Sequence, residues 1–432
     1  MPISFAQIPA NIKVPLYWVE VDPSMAGLPS INLRALLIGI MTKDGTAIPE
    51  IPVPVGSQAM ADQYFGAGSE LSRMFRAFYS NNFANEVWGC GAPEPYTPGP
   101  ALTITAATWV GNSATFTTSA VHNIVVGQEV VIADVDPTNY NGTFQAATGT
   151  TGSTIVVPMA VNPGTYVSGG TATAEITSGT AATGTISITQ APTGAGTFRL
   201  YIAGTLVGDA GINILTTDTV TDIATNIADS INADDRLPTT AVAAAGVVTL
   251  TAVWKGISGN EITVQTNYYG SIGSEANPIG IGYTLPATGL LTGGAGTPSW
   301  TNIITAMGDT PFEYVALGYT DSNTIFEFDQ EFGFTDQGRW GWERQLFGHV
   351  FYAKRGDYSS LVVWGLTNNS GVSSAMAYEP TSPSPSFEWA AAYCAKAQRA
   401  LINDPARPLQ ALTLNQIKMA PHHDQFNFVE LN

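Results

Sequence analysis

Glu327, Asp329 and Glu331 are the first residues whose type and spacing could do chemistry. Two converging carboxylates can share the acid and base roles of glycoside hydrolysis. Here the alternate spacing spreads the groups around a helix, and Phe326, Phe328 and Phe332 interleave with them. The three read as a solvated helix face. Asp134, Asp136, Asn139 and Asn141 offer oxygen ligands of the kind calcium takes, but the glycine and distal glutamate of an EF-hand loop are missing at the required spacing. An Asx-rich hairpin turn accounts for them.

Other constellations fall short in the same way. The histidines are His122, His349, His422 and His423. The last two are adjacent rather than at i, i+4, and no cysteine stands at ligand spacing, which argues against zinc. Gly256-Ile257-Ser258-Gly259 lacks the nucleophile elbow of a serine hydrolase. The glycine-rich run from Gly293 to Thr297 lacks the lysine of a phosphate loop. Trp340 and Trp342 could stack on sugars if exposed, and a packed lip beside Arg344 explains them without a ligand. The expectation is a chain with no catalytic residue, no bound metal and no cofactor.

Composition sets the class. The chain has 432 residues, enough for two to four domains. Hydrophobic residues make up 44%, which marks it as globular, while charged residues make up only 12%, about half the usual share. So little charge suggests surfaces buried against other copies. A net charge of −18 argues against a nucleic-acid partner, which needs a basic field. Cys90 and Cys394 read as buried free thiols of a protein made in a cytoplasm. The first residues lack the basic and apolar segments of a secretory leader, and no apolar run is long enough to span a bilayer. Direct membrane insertion is not expected.

The basic residues are unevenly placed. None occurs from Ala77 to Phe198, and only Arg199, Arg236 and Lys255 occur from there to Gly338. This split suggests that the two ends of the chain form one body into which the middle is inserted. Residues 1–32 are extended by their prolines, with a strand-like run of Leu16, Tyr17, Trp18, Val19, Glu20 and Val21 between them. A strand without a local partner must pair its backbone elsewhere, in its own sheet or in a neighbour's. Next come a buried strand at 33–40, helices at 57–65 and 69–82, and a buried strand at 86–90, the order of an α/β layer. A proline-rich linker at 91–100 leads to short strands at 102–104, 114–118, 129–132, 142–146 and 154–158.

The stretch 196–268 has the most distinctive order. Short apolar runs flank the turn signal Ala203-Gly204. Thr217 or Asp218 can cap a helix whose stripe is Val220, Ile223, Ala224, Ile227, Ala228 and Ile231. Strands follow at 247–252 and 261–265. After 298 the pattern returns to α/β: a helix at 301–307, a strand at 312–318, a helix at 322–334, a strand at 348–353, a mixed segment at 358–366 and a long helix at 386–403.

These pieces together resemble the contractile tail sheath proteins of Mu-like, myovirus-type bacteriophages. The residues that carry the resemblance are Ile202-Ala203-Gly204, Ile223-Ala224, Ile227-Ala228, Ile231-Asn232, Leu250-Thr251-Ala252 and the run from Gly256 to Ile262, together with FEYVALGYTD, GHVFYAKRGD and EWAAAYCAKAQRALINDPARP. The piece from His122 to Gln128, followed by Tyr140 to Phe144, is similar to a small β domain repeated in many virion proteins. The family's chain continues past this point into a further domain, so this sequence is expected to be shortened at its C-terminus.

The resemblance implies an α+β multidomain fold with a discontinuous α/β body. Its expected parts are an extended arm at 1–32, body segments at 33–95 and 298–432, a small outer β domain at 96–176 and an α+β middle domain at 177–297. It implies a structural virion protein, a helical homo-oligomer of stacked rings around a tail tube, assembled in the host cytoplasm. Contraction would drive the tube through the host envelope, and the tube, baseplate and tail terminator proteins would be its partners. Leu16 to Val21 would be the strand given to a neighbour. Arg339, Arg344, Lys354, Arg355, Lys396 and Arg399 form the basic group that could meet an acidic tube or neighbour. The alternative is a β-rich decoration or host-binding, fibre-like virion protein, which the α/β flanks do not explain.

Overall fold

A computed structural model describes residues 33–124, 126, 128–177, 179–427 and 430. The strand-like run from Leu16 to Val21 therefore lies outside the described residues. Among the latter, two distant parts of the chain meet in one six-stranded sheet. Its strands are β1 (Ala35–Ile40), β2 (Val53–Val55), β3 (Val87–Ala92), β4 (Tyr314–Leu317), β5 (His349–Arg355) and β6 (Ser373–Tyr378), in the order β2-β3-β1-β4-β5-β6. All pairs are parallel except β2 with β3. The seam is β1 against β4, where Ala35 faces Tyr314 and Ile38 faces Leu317. The protein is thus α+β, with a discontinuous α/β body built from its two ends.

The sequence explains the seam. Every residue of β1 is buried, so ALLIGI reads as a continuous apolar run, as a parallel strand covered on both faces must. Helices α1 (Gln58–Phe65) and α2 (Glu70–Tyr79) lie between β1 and β3 in the chain, and Ser57 and Ser69 cap them by accepting from Met60 N and Ser72 N. Phe65 and Phe75 stack at 5.7 Å. A Cβ added at Gly89 in β3 would sit 2.6 Å from the Phe65 ring, so glycine lets the helices close onto the sheet there.

The middle contributes one long helix, α3 (Val220–Asn232), whose buried stripe is Ile223, Ala224, Ile227, Ala228 and Ile231 as the spacing predicts. Its cap is neither Thr217 nor Asp218. Thr219 fills that place in a capping box with Asp222, and Asp218 instead accepts from Leu215 N in the preceding turn. A four-stranded sheet orders Thr239–Ala244, Val247–Lys255, Ala181–Gln190 and Gly282–Thr284. The Leu200–Ile202 and Thr205–Leu206 hairpin turns through Ala203 and Gly204, both at positive φ, which is the backbone a tight hairpin turn needs. The strand expected at 261–265 is displaced. Ile257–Glu261 is a 3₁₀ turn and the strand is Val264–Thr266.

Before this region, Tyr96–Pro98 to Ser168–Thr177 form a seven-stranded sheet with its own core around Phe116, Ile132, Tyr140 and Ile155. Ser168–Thr177 pairs with three other strands, and neither it nor Tyr96–Pro98 is evident from sequence.

The last third contains α4 (Thr301–Met307), α5 (Ser322–Glu331), α6 (Tyr358–Thr367) and α7 (Ser386–Asn403). The mixed segment at 358–366 is helix α6, capped by Asp357. Helix α7 is buried on most sides against α2 and the sheet. Its Gln398 donates to Leu33 O and Glu86 O where β1 and β3 begin, and accepts from Asn82 Nδ2.

Candidate functional site

The six basic residues expected to meet a partner do not form one face. Arg339 is 1% exposed. Its guanidinium lies 2.8 Å from Glu331 Oε1 and donates to Thr310 O at 2.8 Å and Gly308 O at 2.7 Å. Arg355 is likewise engaged, by Glu261 at 2.7 Å and by Ser382 O and Ser384 O. Burial and these acceptors leave the Arg339 head group out of reach of a partner, while Arg355 is only partly buried and is held by acceptors of its own chain. Arg344 binds Glu331 and Asp309 at 3.0 and 3.2 Å. Lys354 donates to Thr320 Oγ1 and lies over the Trp364 ring. Lys396 and Arg399 sit on α7, Lys396 half-buried and Arg399 exposed beside Phe83.

The acidic trio is also reassigned. Glu331 anchors Arg339 and Arg344, and Asp329 accepts from Ser370 Oγ and Ser373 Oγ at 2.9 and 3.0 Å. A solvated face therefore describes only Glu327, whose pKa is nevertheless raised by partial burial and by Asp321. The Asx-rich turn stands as a turn: Asn141 accepts from Val135 N and donates to Val135 O. Among the described residues no His, Cys, Asp or Glu cluster could hold a metal, and no helix is long and apolar enough to cross a membrane. Cys90 and Cys394 are buried free thiols, and burial pushes both above the ordinary thiol range.

What the surface offers instead is apolar. Helix α6 has no buried residue, and its Val362, Val363 and Leu366 are exposed. Leu366 is 79% accessible. Phe334, Trp340 and Phe347 form a second group, with Trp340 centroids 5.6 and 4.8 Å from the two phenylalanines. Trp340 is pinned by donating to Gly348 O, but Trp342 is 70% exposed, so the packed lip holds for one tryptophan and not the other. Among the described residues, β6 pairs only with β5, so one of its edges is open. At the opposite margin, β2 carries Pro54, which blunts that edge.

Sequence reasoning missed the polar junction between α2 and the middle region. Arg73, buried, donates to Ala203 O at 2.9 Å and Arg236 O at 3.0 Å and lies 2.6 Å from Glu388 on α7. Glu70, also buried, accepts from Ser258 Oγ at 2.7 Å and Tyr319 OH at 3.0 Å. One signal was available: Glu70 and Arg73 stand three apart on a helix whose other residues are mostly apolar, so both lie on one side.

Fold and surface together define an α+β chain whose buried charges tie its own segments together and whose surface exposes several apolar groups. No family model matches the chain. It is 27% identical over 417 residues to the Mu-like prophage FluMu tail sheath protein of Haemophilus influenzae, a match covering 96% of this chain and 66% of that protein. The resemblance read from the motifs thus extends along nearly the whole chain, and the chain spans slightly less than two thirds of that relative's length. Among solved structures, the sheath tail proteins of Desulfitobacterium hafniense and Listeria innocua align with TM-scores of 0.28 and 0.21 at 10% and 9% identity. Those alignments cover 88% and 76% of this chain, and 61% and 48% of theirs.

Proposed function

We propose that the chain is a structural subunit of a contractile tail sheath. The observation that carries this reading is the 27% identity to a Mu-like tail sheath protein along 96% of the chain. Low charge, exposed apolar groups on α6 and an open sheet edge at β6 support it, since all three suit a surface that other copies cover. The subunits form stacked rings around a tail tube, in a virion assembled in the host cytoplasm, with baseplate and tail terminator proteins at the two ends. The chain has no enzymatic role, and its work is mechanical: two packings of the same subunits differ in free energy, and the transition between them shortens the sheath.

In this reading Leu16, Tyr17, Trp18, Val19, Glu20 and Val21 are the strand donated to a neighbour. Lys354, Lys396 and Arg399 are the basic residues with a head group placed to meet a tube or another subunit. The regions 96–176 and 177–297 are insertions that face away from the tube. Negative-stain microscopy of the chain joined to the part of the Haemophilus relative outside the match tests the reading through one feature, a hollow striated tube.

A further inference from the structure

We propose that Glu70 is a proton-operated latch: its protonated carboxyl group holds the middle region against helix α2 and the six-stranded sheet, and its ionisation loosens that junction.

Glu70 opens α2 directly after its Ser69 cap. A carboxylate there ordinarily faces water and complements the positive end of the helix. This one is fully buried. Oε2 accepts from Ser258 Oγ and Tyr319 OH, while Oε1 has no hydrogen-bond partner. Ser258 Oγ in turn accepts from Trp254 Nε1 at 2.9 Å and lies 3.1 Å from Tyr319 OH. Three separate pieces of chain converge on the carboxyl group: α2, the strand end and following 3₁₀ turn that carry Trp254 and Ser258, and the residues just after β4.

Among the described residues no cation is paired with it. On α2, Arg73 is engaged by Glu388 of α7. Beyond Ser258 and Tyr319 lie Asp321, Lys354, Arg355 and Glu261, with Arg355 and Glu261 paired to each other. Among the described residues none of these hydrogen-bonds to Glu70. An ionised carboxylate there would lack both hydration and a counter-charge, which is costly. Burial accordingly pushes the pKa up to about 7, against the partial opposing pull of the Ser258 and Tyr319 hydroxyls and of the Ile40 backbone N–H in β1. A proton has a short route in, because Ser258 and Tyr319 also line a crevice of about 160 Å³.

The sign follows from linkage. A carboxyl group whose folded pKa is raised stabilises fully below the ordinary range near 4.5, and that contribution is lost as pH rises through about 7. Glu70→Gln keeps the shape and an acceptor for Ser258 and cannot ionise. Urea unfolding of both proteins at about pH 5 and about pH 8 should show the unfolding constant of the native chain rising at least about tenfold more than that of E70Q. Amide exchange, corrected for its intrinsic pH dependence, should accelerate at 254–258 on the alkaline side in the native chain alone. Parallel pH dependence in the two proteins would overturn the proposal. If E70Q does not fold, carboxyl carbon titration of the native protein decides: a glutamate titrating near neutrality supports the latch, and none doing so refutes it.

Discussion

Arg73 Nη2 lies 2.6 Å from Glu388 Oε1, joining the two helices that cover one face of the sheet at a point inaccessible to solvent. The same guanidinium donates to Ala203 O and Arg236 O in the middle region. One side chain therefore fixes α2 to α7 and both to the inserted chain. Removing one partner of a buried pair leaves the other charge uncompensated, at a cost of about 3–5 kcal/mol. Arg73→Ala should lower the urea unfolding free energy by that order. A loss within about 0.5 kcal/mol, as for an ordinary surface site, would show that the pair does not organise the junction.

Arg339 makes a contrasting case. It was a candidate for meeting a partner, yet Glu331, Thr310 O and Gly308 O take up its guanidinium. Arg339→Ala should destabilise the isolated chain by about 3–5 kcal/mol, whereas Arg399→Ala on the exposed side of α7 should cost less than about 1 kcal/mol. Thermal unfolding of the two variants separates them. Equal effects would contradict the distinction drawn from their burial.

Helix α6 should tolerate polar substitution in the isolated chain. Leu366 is 79% exposed, so Leu366→Ser should change stability by no more than about 0.5 kcal/mol. If sheath subunits cover this helix, the same change should impair polymerisation. A variant that unfolds would show that α6 is packed in solution, and one that polymerises normally would remove α6 from the interface.

Deleting residues 1–21 should abolish polymerisation and leave a folded monomer with unchanged far-ultraviolet circular dichroism. Full-length tubes from the deleted chain would refute the role given to Leu16 to Val21. Deleting 101–176 should leave tubes intact, since that segment has a core of its own around Phe116 and Tyr140. Loss of tubes there would refute its placement outside the mesh.

Much of this fold was legible because burial and period agree. ALLIGI is buried on both faces and reads as a parallel strand, and the stripe from Val220 to Ile231 repeats at helical spacing. Other elements were hidden for physical reasons. Ser168–Thr177 (SGGTATAEIT) is built of small residues, and its buried face includes Ala172 and Ala174, so it shows no apolar alternation. Helix α6 is apolar all round yet unburied, so its sequence gave no amphipathic stripe. The Glu70 and Arg73 junction escaped notice because its partners Ser258, Tyr319 and Glu388 lie between 188 and 315 residues away in sequence, measured by their numbers. No local spacing encodes such a meeting. Arg339 could not be told from a solvated charge in the sequence, because charge type does not reveal whether the chain itself supplies the counter-charge.

A tail sheath subunit must build a tube. Negative-stain electron microscopy should be made of the purified chain, alone and joined to the part of the Haemophilus relative that lies outside the match. The account predicts hollow, striated tubes once that portion is present. Compact monomers or trimers from both proteins, at every salt concentration, would contradict it.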